Sequence, residues 1–179
     1  ILFEPCYPSY LPSVLMAGGI PRFYPLRPPN WSIDGDQLTE LFSDKTKLIL
    51  VNTPHNPTGT VYTDDELRLV SELCHKYDVI AMCDEVYEHI VFDGGRHVPL
   101  ATYPGMSTRT VTISNLGKTY HMTGWKVGWA IAPPELTQAL YRVRQYTTGS
   151  GVTPFQEAAV TALRASQNYY ADLVAIYQS

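Results

Sequence analysis

No run of apolar residues in this chain approaches the ~20 needed to cross a bilayer as a helix, so no membrane span has a candidate. Lysine and arginine form no basic block and the net charge is −4, which leaves neither nucleic acid nor an anionic membrane surface as an expected partner. Cysteine is scarce. Cys6, Cys74 and Cys83 are odd in number and lack Cys-x-x-Cys spacing, which excludes a disulfide framework or a zinc site and reads as reduced, buried thiols of a cytoplasmic protein. The opening Ile1-Leu2-Phe3-Glu4-Pro5 carries no signal-peptide pattern and no initiator methionine. It reads as the end of a strand, and the expectation is a piece of a longer protein. Charged residues make up 17% against 45% hydrophobic, a balance that builds a sizeable core and does not describe a disordered chain.

What is present is an alternation of strands and helices. Three prolines make Pro25 to Asn30 a loop, because they cannot sit in a central strand. Asp34-Gly35-Asp36 opens a short helix, roughly residues 36–42, with an aspartate as N-cap. Lys47 to Asn52 is a buried strand by its short apolar run, followed by the loop TPHNPTG. Thr63 with Glu66 three residues on is a capping-box signature, and Leu67, Val70, Leu73, Cys74 and Tyr77 fall at helical spacing behind it. Val79 to Cys83, Thr110 to Ser114 and Val127 to Ala132 read as further strands. Pro133-Pro134 starts a helix to about Gln145, and a last helix of roughly residues 154–177 carries Phe155, Ala159, Ala162 and Leu163 on one face. This pattern implies a three-layer α/β/α fold around a mostly parallel sheet. Such sheets place ligands at the carboxyl ends of their strands.

Polar clusters close three of those ends. Asn56-Pro57-Thr58-Gly59 is by composition a turn, and it also offers the Asn56 amide as a donor to a ligand oxygen. Asp84, in Asp84-Glu85-Val86-Tyr87, either caps a following helix or sets a carboxylate against a protonated ring nitrogen, whose pKa a nearby anion raises. Tyr87, three residues on, lies one helical turn away. The third cluster runs from Ser114 to Trp129. Lys118 follows an apolar strand there and is framed by Gly117, Gly124 and Gly128, which allow close backbone approach. A lysine partly desolvated near other cations becomes a useful amine for a Schiff base. Lys126 is a fixed positive charge for a phosphate or an exposed lysine before a strand. Asparagine, aspartate with tyrosine, and lysine close the three strand ends in turn, 28 and then 34 residues apart.

On NPTG (Asn56 to Gly59), DEVY (Asp84 to Tyr87) and GKTYHMTGWKVGW (Gly117 to Trp129), the chain resembles the class I/II aminotransferases of fold type I over essentially all of its 179 residues. The lysine block is most similar to the kynurenine, glutamine and methionine aminotransferase branch. The resemblance implies pyridoxal 5′-phosphate as cofactor, with Lys118 holding it as a Schiff base and then shuttling a proton at the substrate α-carbon. It implies Asp84 on the pyridine nitrogen, Asn56 and Tyr87 on the ring's phenolic oxygen, and Lys126 on the phosphate where most relatives carry arginine. Tyr7, after Glu4-Pro5-Cys6, aligns near the aromatic that stacks on the pyridine face, and as a sequence feature it reads equally as a core aromatic. Relatives carry a phosphate-binding serine three residues before the lysine. Asn115 stands there, with Ser114 one further back.

The resemblance also implies what these residues do not contain: the Gly-rich phosphate loop, the arginine that grips the substrate carboxylate, and the small domain carrying it. Residues 1–179 are thus expected to be part of a cofactor-binding large domain, inactive alone. The parent would transaminate between an amino acid and a 2-oxo acid, as a homodimer. Two other readings share these motifs: a carbon–sulfur β-lyase on the same cofactor, and a non-catalytic aminotransferase-like ligand-sensing domain.

Overall fold

A computed structural model describes residues 1–179. Its single sheet contains β1 (Leu2–Glu4), β2 (Phe23–Pro25), β3 (Leu48–Asn52), β4 (Ile80–Asp84), β5 (Thr110–Asn115) and β6 (Gly128–Ile131), in the order β2-β1-β3-β4-β5-β6. The first five strands are parallel and β6 runs antiparallel to β5. The helices are α1 (Tyr10–Met16), α2 (Gly35–Thr39), α3 (Asp64–Lys76), α4 (Pro134–Thr147), α5 (Thr153–Ala162) and α6 (Gln167–Gln178). The expected α/β class with a mostly parallel sheet is the one observed.

The apolar runs explain the layering. Side chains alternate along a strand, so Ile49, Val51, Ala81 and Cys83 share one face. Leu67, Val70, Leu73 and Cys74 of α3 lie in the same buried cluster as those four. Each fully buried leucine, isoleucine or valine among them contributes about 1.5–3 kcal/mol. Leu2 and Leu50, register partners that alternate to the opposite face, are buried too. Burial on both faces is why these strands read as unbroken apolar runs. The capping box that starts α3 is complete: Glu66 N–H donates to Thr63 Oγ1 at 3.3 Å, and Thr63 N–H donates to Glu66 Oε2 at 2.7 Å. The other Glu66 oxygen accepts from Ile33 N–H at 2.6 Å, which ties the chain ahead of α2 to the same helix.

Four expectations need correction. Pro25 is not in a loop but ends β2, the edge strand, where a missing N–H costs little. The helix after Asp34 spans only Gly35–Thr39, because the next turn tightens to i→i+3 bonds that carry Phe42 into the core. The last helix is two. Bonds from Arg164 to Thr161 and Ala165 to Ala162 close α5, and Ser166 turns extended as the N-cap of α6. That bend lets Tyr169 O–H donate to Thr119 O at 2.6 Å and puts Tyr170 Oη 2.8 Å from Tyr120 Oη, while leaving Leu163 half exposed. Among the free cysteines, Cys74 and Cys83 are buried but Cys6 is only partly so.

Candidate active site

β3, β4 and β5 are neighbours and parallel, so their carboxyl ends open along one edge of the sheet. Asp84 is the last residue of β4, Asn56 follows β3 by four residues, and Lys118 follows β5 by three. These three line one cavity of about 610 Å³ together with Tyr7, Tyr87, Asn115 and Lys126. A volume of that size suits a small-molecule ligand. The structure therefore brings all seven sequence-selected residues to one place.

Asp84 is the most tightly held. One carboxylate oxygen accepts from Tyr10 O–H at 2.6 Å and the other from Val86 N–H at 3.3 Å. Burial first, and the Asp84 charge second, push the Tyr10 hydroxyl far above its ordinary range, so Tyr10 is a donor at any working pH. No helix follows Asp84. Residues 85–90 form successive turns, with Glu88 N–H on Glu85 O and Ile90 N–H on Tyr87 O. Tyr87 thus reaches the cavity from a turn instead of a helix face, and the helix-capping alternative for Asp84 falls away. Tyr7 lies at 45% exposure on the cavity wall, edge-to-face with Tyr10 at 5.6 Å. It is not a core aromatic.

Lys118 is exposed, its Nζ 5.5 Å from the centroid of the Tyr87 ring, so the expected partial desolvation is absent. Its loop is held by short bonds. Gly117 N–H donates to Asn115 Oδ1 at 2.6 Å, and Thr123 O–H donates to Gly117 O at 2.8 Å. A Cβ on Gly117 would stand 2.7 Å from Asn115 Oδ1, and one on Gly128 2.8 Å from Ser114 O, so these two glycines carry the close approach. Gly124 has open space around it and carries none. Ser114 is buried and spends its hydroxyl on Glu88 Oε1 at 2.9 Å. Asn115 has committed its carbonyl oxygen, which leaves its amide N–H groups for a ligand. Lys126 is exposed, with a left-handed backbone (φ 55°) at the end of a 3₁₀ turn, Thr123–Trp125. Such a backbone in a non-glycine residue costs on the order of 1–3 kcal/mol and concentrates at ligand sites.

Two residues of this site escaped the sequence reading. Tyr10 had no local signal, since its partner lies 74 residues away. Asn52 had one, a polar residue closing an apolar strand. It is 3% exposed; its side-chain N–H groups donate to Asp84 O at 2.9 Å and Pro54 O at 3.3 Å, and its Oδ1 accepts from Asn56 N–H at 2.8 Å. Beside them His55 is buried, sits 2.8 Å from Thr58 Oγ1 through Nδ1, and burial lowers its pKa to about 4.

The family described as "Aminotransferase class I and II" matches residues 1–179 in full. The chain belongs to the class I and II aminotransferases. It is 45% identical over 172 residues to human kynurenine–oxoglutarate transaminase 3, which covers 90% of this chain and 38% of that protein. It is 38% identical over 178 residues to the methionine aminotransferase of Escherichia coli K12, covering 99% of this chain and 46% of that one. These relatives lie in the aminotransferase branch that the lysine block resembles. Among solved structures, N-succinyldiaminopimelate aminotransferase from Mycobacterium tuberculosis superposes with a TM-score of 0.96 at 40% identity, over 99% of this chain and 47% of that one. The chain thus spans less than half the length of the relatives it matches.

Proposed function

We propose that the full-length protein is a transaminase that uses pyridoxal 5′-phosphate to move an amino group from an amino acid to a 2-oxo acid. The observation that carries this is the meeting of one amine, one carboxylate and one amide (Lys118, Asp84, Asn56) at adjacent strand ends in one cavity. The side chains fit the cofactor by their chemistry. Lys126 and the Asn115 amide suit a phosphate, Asp84 a protonated ring nitrogen, Asn56 and Tyr87 a phenolic oxygen, the exposed Tyr7 ring a stacked pyridine, and Lys118 an aldehyde carbon. When bound, pyridoxal phosphate supplies an electron sink for the pair left at the substrate α-carbon.

The chain's own groups then have distinct tasks. Lys118 Nζ anchors the cofactor and afterwards takes a proton from the substrate α-carbon and returns one. The Asp84 carboxylate would keep the ring nitrogen protonated through its charge, and the Tyr10 hydroxyl orients that carboxylate. Asn56 and Tyr87 would hold the ring's phenolic oxygen by hydrogen bonds.

Aromatic, sulfur-containing and glutamine-like amino acids are the proposed donors. The chain is proposed as part of the cofactor-binding large domain of a cytoplasmic homodimer. Support comes from its exposed apolar side chains, including Ile131, Tyr141, Val143 and Tyr146, and from its three free thiols. No helix is long and apolar enough to cross a membrane. Residues 1–179 alone are expected to turn over no substrate, and measurable transamination by them would refute that. The whole reading is tested with the full-length protein and paired donor and oxo-acid substrates. Amino transfer with both present supports it. Pyruvate and ammonia released from a cysteine conjugate without an oxo acid would move the assignment to a β-lyase, and cofactor binding without turnover would move it to a sensor. Full activity in a species that sediments as a monomer would remove the homodimer.

A further inference from the structure

We propose that Asn52 is a positioning residue that locks Asn56 and Asp84 into one rigid unit. The inference rests on the reading above, in which both touch the cofactor. Asn52 closes β3 in register with Asp84 at the end of β4. Its side chain is buried and satisfied on both sides, with Oδ1 holding the Asn56 N–H and Nδ2 reaching Asp84 O and Pro54 O. Thr53 N–H donates to the same Asp84 carbonyl at 3.2 Å, so the strand end of β4 is gripped by two consecutive residues of β3. The loop from Thr53 to Gly59 carries Asn56, and its further ties run within the loop (Gly59 N–H on His55 O, His55 on Thr58), to the chain just after it (His55 N–H on Thr60 O at 2.8 Å, Tyr62 N–H on Thr53 Oγ1 at 3.2 Å) and from the His55 ring to the Pro5 backbone, so none of them joins Asn56 to Asp84. Asn52 is therefore the side chain that converts the fixed separation of two sheet strands into a fixed separation of two ligand-facing groups. An amide is the only side chain of this size that accepts on one side and donates twice on the other. Misplacement of a positioning group by about 1 Å is worth on the order of 10²-fold in rate.

The test uses the full-length protein with Asn52→Leu, which removes both halves of the clamp, and Asn52→Asp, which keeps the acceptor for Asn56 but replaces the donors to Asp84 and Pro54. Amide hydrogen exchange on the cofactor-free protein reads the clamp directly. Exchange at the Asn56 amide is expected to rise about tenfold in Asn52→Leu and to stay at the parent level in Asn52→Asp. With pyridoxal phosphate bound, both variants are expected to lose kcat with the donor KM little changed, and to shift the absorbance band of the bound cofactor. The combination Asn52→Leu with Asn56→Ala closes a cycle. If Asn52 acts through Asn56, the pair loses much less than the product of the two single losses. Unchanged exchange at Asn56 in Asn52→Leu, or losses that multiply in full, would overturn the clamp. An Asn56→Ala protein with unaltered cofactor spectrum and kcat would instead overturn the site assignment, while the exchange result would still judge the clamp.

Discussion

The part of the molecule from β1 to Met106 and the part from Leu116 to α6 solve the burial problem differently. The first closes around a cluster of 19 buried residues, with α3 contributing Leu67, Val70, Leu73 and Cys74. The second has a buried cluster of only three, Leu116, Tyr120 and Ala159, and α4 buries nothing. Tyr141, Val143 and Tyr146 are 60%, 64% and 87% exposed on α4, and Ile131 on β6 is 65% exposed. The candidate site lies on the seam. Asn56 and Asp84 come from the well-packed part, where the buried Asn52 side chain bonds to both, and Lys118 and Lys126 come from a loop of the lean one. The proposed charge partner and ring-orienting amide are thus set by the core, while the amine proposed to move a proton sits on the less heavily packed side.

The sharpest way to break this contrast is Leu67→Ala. It opens a cavity under the sheet, with an expected loss of about 2–5 kcal/mol in the unfolding free energy by denaturant titration. A loss as small as that of a surface substitution would mean the two parts are packed alike.

Acid should weaken the first part through His55. Its folded pKa of about 4 lies below its ordinary value of 6.5, so the unfolded chain binds the proton first. Stability is then full above pH 6.5 and falls as the pH drops from 6.5 to about 4. The slope reaches at most about 1.4 kcal/mol per pH unit. His55→Gln should flatten that slope, measured as melting temperature against pH.

Tyr10→Phe removes a hydrogen bond to a charged carboxylate without changing shape. In the full-length protein kcat should fall about tenfold or more, with folding stability reduced far less than in Leu67→Ala. An unchanged kcat would show that Asp84 needs no second partner.

The smallest effect should come from Val143→Ser. In residues 1–179 the expected change is within about 0.5 kcal/mol, because the side chain is exposed. The same substitution in the full-length protein should cost on the order of 1–3 kcal/mol if further chain covers α4. Equal, negligible losses in both would sink the proposal that this face is covered.

The strand ends and the residues that close them were legible because both signals are local. Apolar runs end in Asn52, Asp84 and Asn115, and the motif residues follow within a few positions. The capping box of α3 was legible for the same reason. The break between α5 and α6 was not, since continuous helical periodicity hides a bend made by hydroxyls of Tyr169 and Tyr170 reaching residues 50 positions back. Nor was Tyr10, whose role exists only once β1 and β4 are folded into one sheet. The exposure of Lys118 was read wrongly, because a lysine behind an apolar strand is buried or open according to what packs over the loop, which spacing does not encode.

The central claim is that Lys118 holds the cofactor. Full-length protein incubated with pyridoxal 5′-phosphate, reduced with borohydride, digested and mapped by mass spectrometry tests it most directly. The expected result is one phosphopyridoxyl group, on the peptide and side chain of Lys118, absent after Lys118→Ala. A label on Lys126 or another lysine instead, or no label on protein that retains the cofactor, would contradict the account.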